Sequence, residues 1–569
     1  MALRLGEILV ENKLITADEL ELALIEQQKT KDALGQILVR MGFIAEKDML
    51  QALAKQQGIP FIELAARKIS DKVLKSVPAK FAWHYRVMPV SLDGNILTAA
   101  ISNPFDMWPI DDLETHLGFK VEKVLASSAD IAEAIKKYYG VGAETIDRIM
   151  SDEPRPAGEE AAHAAEEKVE DLEKLAESAS VIKLVNQILQ EAIGDRATDI
   201  HIEHFRGELV LRYRIDGILY DKTVSDKVKY LHPAIVSRIK VMSGLDIVER
   251  RLPQDGRAKV KIGKNEYELR VSIIPTLYGE NIVIRVLPTT MLFDILDLGV
   301  SDKDRDAIEQ LLKKSHGIIF VTGPTGSGKT TTLYACLSKL NSRTRKIITI
   351  EDPIEYELKG ISQTQINQKI DLTFARMLRS MLRHDPDVMM VGEVRDRETA
   401  EITIQTALTG HLVFSTLHTN DSASGITRLI DIGIEPYLIA SSVIAFMAQR
   451  LVRVICKDCK EKVTLASLGF KNDQLKAEGF NADKHTHVYQ GKGCKACNDT
   501  GYMGRLGIYE ILPLRDDIKK LVLEKAPAHI IKERAIANGM HTLKQDGWDK
   551  VLAGVTTLEE VLRVTQLEG

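Results

Sequence analysis

The sequence predicts a multidomain α/β protein whose largest, C-terminal domain is built on a parallel sheet. Three observations carry that expectation. From about residue 294 onward, apolar strands alternate with helical patterns, as βαβ units require. A glycine-rich loop stands between one such strand and the helix that follows it. Ahead of these lie a tandem helical repeat and an abrupt change of composition, which divide the remaining chain.

The repeat opens the chain. Leu5-Gly6-Glu7-Ile8-Leu9-Val10 returns as Leu34-Gly35-Gln36-Ile37-Leu38-Val39, an offset of 29 positions. Leu14-Ile15-Thr16 continues the first copy and Phe43-Ile44-Ala45 the second. Thr16 and Glu19 have capping-box spacing, so a helix is expected to start there. Each copy reads as helix, turn, helix, and two copies can bury their apolar faces together. Residues 61–140 alternate short strands and helices, with a strand expected over 95–101 and a helix over 129–139. Residues 151–177 are rich in Ala, Glu, Pro and Gly and read as a flexible or partly helical linker.

A middle domain begins near Ser180, with a helix over 181–192 and a strand around 209–215. Asp216-Gly217 is a hairpin turn signal. This domain is expected to end near Pro288. The resulting plan is an N-terminal regulatory or docking domain (1–145, its repeat in 1–60), an acidic linker (146–179), a middle domain (180–290) and a C-terminal domain (291–569) carrying an insert at 450–500.

Composition narrows the class. The 569 residues are 44% hydrophobic and 28% charged, as in ordinary globular protein. The net charge of −5 argues against a protein that tracks nucleic-acid phosphates. The opening Met1-Ala2-Leu3-Arg4 carries no secretory signal pattern. The most apolar stretch, 437–447, is interrupted by Ser441 and Ser442 and followed by Gln449 and Arg450. It falls well short of the ~20 apolar residues of a spanning helix and is expected to be a buried helix. A membrane role therefore has to come through partners, and a cytoplasmic location is expected.

Gly323-Pro324-Thr325-Gly326-Ser327-Gly328-Lys329-Thr330 fits G-x-x-x-x-G-K-[ST] and is followed by Thr331. The apolar run 317–321 precedes it and a helix over 331–340 is expected after it, which is the context the motif needs. Glycines let backbone N–H groups wrap a phosphate, and the helix N-terminus adds positive potential. Lys329 would reach the β- and γ-phosphates and Thr330 would bind Mg²⁺. A chance match is expected only about 0.02 times in a chain of this length.

Val388-Met389-Met390-Val391-Gly392-Glu393 supplies an acid after a strand, with Gly392 where an Asp is usual. Glu393 can hold a Mg²⁺ water from there. Glu351-Asp352-Pro353-Ile354-Glu355 follows another strand, and a carboxylate in it can polarise an attacking water. His411 and His418 bracket the strand residues 412–415 and are candidate sensors of a γ-phosphate. Four of the five cysteines form the pairs Cys456-x-x-Cys459 and Cys494-x-x-Cys497, which suit a closed tetrahedral zinc site. His485 and His487 are competing ligands, and Cys336 reads as a small buried side chain.

The glycine-rich loop, the 351–355 acidic box, Gly392-Glu393 and the two-histidine box resemble those of the secretion ATPase superfamily, which powers type II secretion and type IV pili. The resemblance is to its pilus assembly ATPases first. It implies a RecA-like P-loop ATPase domain at the C-terminus, a PAS-like α+β middle domain, and a homohexamer that binds ATP and Mg²⁺ and acts on an inner-membrane platform protein. It implies Glu355 as catalytic base and Glu393 as the Mg²⁺-associated acid. It also implies arginines at the site, with Arg379 and Arg383 matching by motif position and Arg212, Arg214 and Arg238 as middle-domain candidates. The cysteine pairs and the Thr500-Gly501-Tyr502 segment after them continue the family pattern, implying structural Zn²⁺.

The repeat, with Arg4 before Leu5-Gly6, resembles a tandem cyclic-di-GMP-binding motif. Its second copy has Ala33 in place of the Arg, so a purely structural docking domain stands beside dinucleotide binding. A secretion motor and, further off, a nucleic-acid translocase are the alternatives to a pilus motor.

Overall fold

The computed structural model describes residues 5–152, 178–288 and 294–566. Most of the expected linker and Arg4 lie outside them. The chain divides into two compact units: Met1–Val260 with Glu268–Val286, and Lys261–Tyr267 with Leu287–Gly569. The first unit contains the repeat and most of the strand residues of the middle segment, and the second contains the glycine-rich loop.

In the first unit the repeat forms two helical hairpins, Leu5–Glu11 with Ala17–Thr30 and Leu34–Arg40 with Glu46–Gln57. The Thr16–Glu19 capping box is formed in both directions. The recurring Leu-Gly has a packing cause. A Cβ on Gly6 would come within 2.7 Å of Leu20 Cδ1, and one on Gly35 within 2.9 Å of Met49 Sδ. Leu20 and Met49 are themselves equivalent positions of the two copies, so the same close approach is made twice. Leu9, Ile37, Leu38 and Leu50 form the shared core.

The next segment holds a three-stranded sheet: β1 (Met88–Asp93) antiparallel to β2 (Ile96–Ile101), and β2 parallel to β3 (Lys120–Leu125). The helix Trp108–Leu117 makes the crossover between β2 and β3, and the helix Ser128–Tyr139 follows β3.

The helix Ala179–Gly194, capped by Ser178, then leads into six strands. They are β4 (Ala197–Phe205), β5 (Glu208–Ile215), β6 (Ile218–Lys222), β7 (Gln254–Ile262), β8 (Asn265–Thr276) and β9 (Gly279–Pro288), ordered β6-β5-β4-β9-β8-β7. Asp216 and Gly217, at φ 51° and 89°, make the two-residue turn between β5 and β6.

The second unit is built on a seven-stranded sheet. Its strands are β10 (Gly317–Thr322), β11 (Ile347–Glu351), β12 (Ser362–Gln365), β13 (Val388–Val391), β14 (Leu412–Leu417), β15 (Val443–Ile455) and β18 (Tyr502–Pro513). A two-stranded sheet of β16 (Lys460–Thr464) and β17 (His487–Gly491) is inserted between β15 and β18. The order is β12-β11-β13-β14-β10-β15-β18, parallel throughout except for β15 against β18. β10, β13 and β14 are buried along their whole length, which explains apolar runs without alternation.

One expectation is corrected. Residues 437–447 are not one buried helix: the helix Pro436–Ser442 ends there and β15 runs on for 13 residues. A strand covered on both faces has no period-two signature, and its β-branched and aromatic content (Val443, Ile444, Phe446) favoured strand. Among the described residues no helix is long and apolar enough to cross a membrane.

Candidate nucleotide site and thiolate cluster

The glycine-rich loop leaves the carboxyl end of β10, a central strand between β14 and β15, where open α/β sheets hold their ligands. It closes on the helix Lys329–Leu340, whose N-cap is Gly328 at φ 87°, a left-handed backbone that suits glycine. The loop lies close against β15. A Cβ on Gly323 would come within 2.5 Å of Ser327 Oγ and 2.7 Å of Gln449 O. Thr332 Oγ1 donates to Gln449 Oε1 at 2.7 Å, tying the first turn of the helix to the same strand.

Two observations show that the loop fits phosphate. The Ser327 Oγ is buried without a hydrogen-bond partner, a vacancy for an acceptor. Lys329 folds back so that Nζ donates to Gly323 O at 2.7 Å and Pro324 O at 3.1 Å, carbonyls it can exchange for phosphate oxygens. Burial pushes the Lys329 amine down to about 8; Glu393 opposes the shift and Arg450 adds to it. Thr330 and Thr331 occupy the first turn of the helix beside Lys329.

Glu393 follows β13. Gly392 is there because its N–H donates to Ile350 O at 2.8 Å and an added Cβ would come within 3.1 Å of that oxygen. The Glu393 Oε2 accepts from Arg395 Nε at 2.7 Å and lies 3.3 Å from His418 Nε2. His418 follows the carboxyl end of β14, beside the loop end of β10.

His411 lies at the other end of β14. It precedes β14, with its carbonyl accepting from Gly317 N, and its Nδ1 is 2.9 Å from Thr406 O. The two histidines are therefore at opposite ends of a strand, about 20 Å apart. Within one chain only His418 belongs with the loop, because a strand of this length separates what its sequence brackets.

The acidic box divides between two environments. Glu351 ends β11 and is 3% exposed, accepting from Thr349 Oγ1 at 2.6 Å, from Gln363 Nε2 at 3.1 Å and from the Tyr334 hydroxyl. Glu355 is half-buried on the loop beyond. Arg379 pairs with Glu398 at 2.7 Å on an exposed helix face, and Arg383 donates to Arg379 O at 3.0 Å, so both face solvent in the single chain. Arg212, Arg214 and Arg238 lie in the first unit. There Arg212 pairs with Glu203, and Arg214 lies 3.7 Å from Asp199.

Residues not anticipated are Gln449, behind the loop, and Arg450, 4% exposed and donating to Asn420 O at 2.8 Å. In sequence they mark only the polar end of an apolar run. Their function follows from β15 being a strand that passes beside β10.

The four cysteines meet at the end of β15 and in the loop after β17. Their sulfur atoms lie within 4.8 Å of one another. Cys456–Cys494, Cys459–Cys497 and Cys494–Cys497 are 3.8, 3.9 and 3.7 Å apart. A tetrahedron of thiolates about 2.3 Å from a zinc ion has edges of about 3.8 Å, so the donor set fits. Burial pushes the Cys459 thiol up to about 12. At Cys497 burial acts the same way, yet N–H groups of Cys494 and Gly501 outweigh it, holding that thiol down to about 7. Neither His485 nor His487 joins the cluster. Cys336 is buried in the helix after the loop, as expected, its thiol raised to about 12 by burial.

Comparisons with known proteins point to one family. Residues 174–563 match the model of the family described as type II/IV secretion system protein, and residues 57–145 match that of the MshEN domain, which begins where the repeat ends. The chain is 42% identical over 568 residues to the type IV pilus assembly ATPase PilB of Myxococcus xanthus, covering 99% of each chain. It is 39% identical over 570 residues to type II secretion system protein E of Xanthomonas campestris pv. campestris, covering 99% of this chain and 98% of that one. Among solved structures, the ATPase DotB of Yersinia pseudotuberculosis shares the fold at 22% identity and a TM-score of 0.50, over 68% of this chain and 94% of that one. With its glycine-rich loop, its parallel sheet and a family match spanning more than half its length, the chain belongs to the type II/IV secretion system protein family.

Proposed function

We propose that the chain hydrolyses ATP and converts the hydrolysis into mechanical work for type IV pilus assembly. The observation that carries the ATPase reading is the glycine-rich loop with Lys329 facing the Glu393–His418 pair across the carboxyl ends of β10, β13 and β14. Full-length similarity to a pilus assembly ATPase supports the pilus assignment. The similarly full-length match to a type II secretion protein supports the second reading, a secretion motor.

In this reading Lys329 and the loop N–H groups bind the β- and γ-phosphates. Thr330 would hold Mg²⁺ and Glu393 would hold it through a water, and the ion would supply positive charge beside the phosphates. Glu355 takes the proton of the attacking water, and His418 orients Glu393. Arg379, Arg383 and Arg214 supply positive charge as copies of the chain close in a homohexamer, because a guanidinium stays charged and bonds phosphate with two donors. Cys456, Cys459, Cys494 and Cys497 hold a structural Zn²⁺.

Residues 1–145 dock on the machine and 180–290 form the middle module, with 291–569 as the motor. The motor works in the cytoplasm, at the inner membrane, through a platform protein, and takes no nucleic acid as substrate. Cyclic-di-GMP at the repeat is a separate reading, supported by Arg4-Leu5-Gly6 and weakened by Ala33. Calorimetry with the full chain tests it, and absence of heat at high micromolar dinucleotide ends it.

Lys329→Ala in the source cell separates the two motors. Loss of surface pili with export intact supports pilus assembly. Loss of export with pili intact assigns the chain to secretion.

A further inference from the structure

Glu355 sits on a loop, and a base on a loop is useful only if something holds it to the phosphate site. The face of β11 and β12 under that loop carries an unusual set of polar side chains. Thr349 and Glu351 alternate along β11, and Gln363 and Gln365 are their parallel partners on β12. All four therefore project from the same face of the sheet.

Tyr334, from the helix that follows the glycine-rich loop, donates its hydroxyl to Glu351 and accepts from Glu355 N at 3.4 Å. It stands four residues after Thr330, so one helical face carries both the Mg²⁺ hydroxyl and the tyrosine.

Gln363 fastens the loop at two points. Its Nε2 donates to Glu351 Oε1 at 3.1 Å and to Tyr356 O at 2.9 Å, and approaches the Tyr334 hydroxyl at 3.4 Å. Its Oε1 accepts from Leu358 N at 2.6 Å. Gln365 Oε1 adds a longer contact from Ile354 N at 3.4 Å. Backbone groups on both sides of Glu355 are thus held by two glutamines of one edge strand. The peptide N–H of Glu355 itself bears on a tyrosine of the phosphate-binding helix.

We infer that Gln363, with Tyr334 and Glu351, is a positioning residue that sets the distance between the Glu355 carboxylate and the phosphate site. The buried Glu351 is the fixed point of the clamp rather than a second base. Both of its oxygens are already engaged, Oε1 by Thr349 and Gln363 and Oε2 by Tyr334. The hydroxyl of Tyr334 connects the phosphate-binding helix to the acidic loop, so a shift of one is felt by the other. This inference rests on Glu355 being the base.

The test is a double-mutant cycle on the full chain, reading kcat for phosphate release, the Kd of a fluorescent ATP analogue and Tm. Displacing a reacting group by about 1 Å costs up to 100-fold in rate. Gln363→Ala is therefore expected to lower kcat about 10- to 100-fold, with analogue Kd within about threefold of wild type. Tyr334→Phe keeps the buried ring and removes only the hydroxyl, and is expected to lower kcat in the same direction.

The decisive comparison is Gln363→Ala placed on Glu355→Gln. A residue that acts only through Glu355 has nothing left to position, so the second change is expected to leave the residual rate unaltered. If Gln363→Ala lowers kcat by the same factor with and without Glu355, it acts through the fold in general and the inference is overturned. If Glu355→Gln is inactive while Gln363→Ala and Tyr334→Phe turn over at the wild-type rate, the clamp alone is refuted. If Glu355→Gln itself turns over normally, the failure belongs to the base assignment.

Discussion

The Oε2 of Glu393 lies 3.3 Å from Nε2 of His418, so the residues after β13 and β14 meet at the mouth of the glycine-rich loop. A carboxylate held by His418 and Arg395 keeps one orientation. Glu393→Gln preserves the shape and removes the charge, and its turnover should fall by roughly 100-fold. His418→Ala, which frees the carboxylate to rotate, should cost about tenfold with ATP affinity little changed. Steady-state phosphate release with a nucleotide-binding titration checks both. His411→Ala, at the far end of the strand, should leave intrinsic turnover of the isolated chain untouched.

The pH response of nucleotide binding follows from Lys329, whose amine is pushed down to about 8 by burial. Below that pH the free site already carries the charge that phosphate requires. As pH rises through 8, binding must first take up a proton, so ATP affinity falls by up to about tenfold per unit. Stability runs the other way. A lysine depressed in the fold disfavours folding while it is charged, and that penalty is relieved as pH climbs from about 8 toward the ordinary lysine value. Between pH 7 and about 9.5, calorimetric Kd should increase while Tm also increases, and Lys329→Ala should flatten both.

Metal content tests the cysteine cluster. The purified chain should carry about one zinc per copy. Cys456→Ser or Cys497→Ser should remove it and lower Tm by roughly 5–10 °C, because the insert between β15 and β18 loses its staple. Cys336→Ala should leave the metal in place, since that thiol is buried alone in its helix. Elemental analysis beside a melting curve reads both effects.

Local patterns survived into the structure where one short segment carries its own physics. The glycine-rich loop, the Thr16–Glu19 capping box and the Asp216-Gly217 turn each specify a backbone without help from the rest of the chain. The two cysteine pairs were legible for the same reason, although their meeting depends on the insert folding back.

What the sequence concealed is non-local. β15 reads as helix because burial on both faces erases alternation. Gln449 and Arg450 appear as polar interruptions until β15 is laid beside β10. The Gln363–Glu351–Tyr334 cluster draws on two strands and a helix, and no spacing in the sequence announces it. His411 and His418 look alike in sequence because a strand's direction, not its composition, decides which end reaches the ligand.

The most direct measurement is magnesium-dependent phosphate release by the purified full chain, alongside ATP binding, for wild type, Lys329→Ala and Glu355→Gln. Glu355→Gln is expected to bind ATP within a fewfold of wild type while its turnover falls by roughly 100-fold or more, and Lys329→Ala is expected to lose both. Turnover by Glu355→Gln near the wild-type rate would contradict Glu355 as the base.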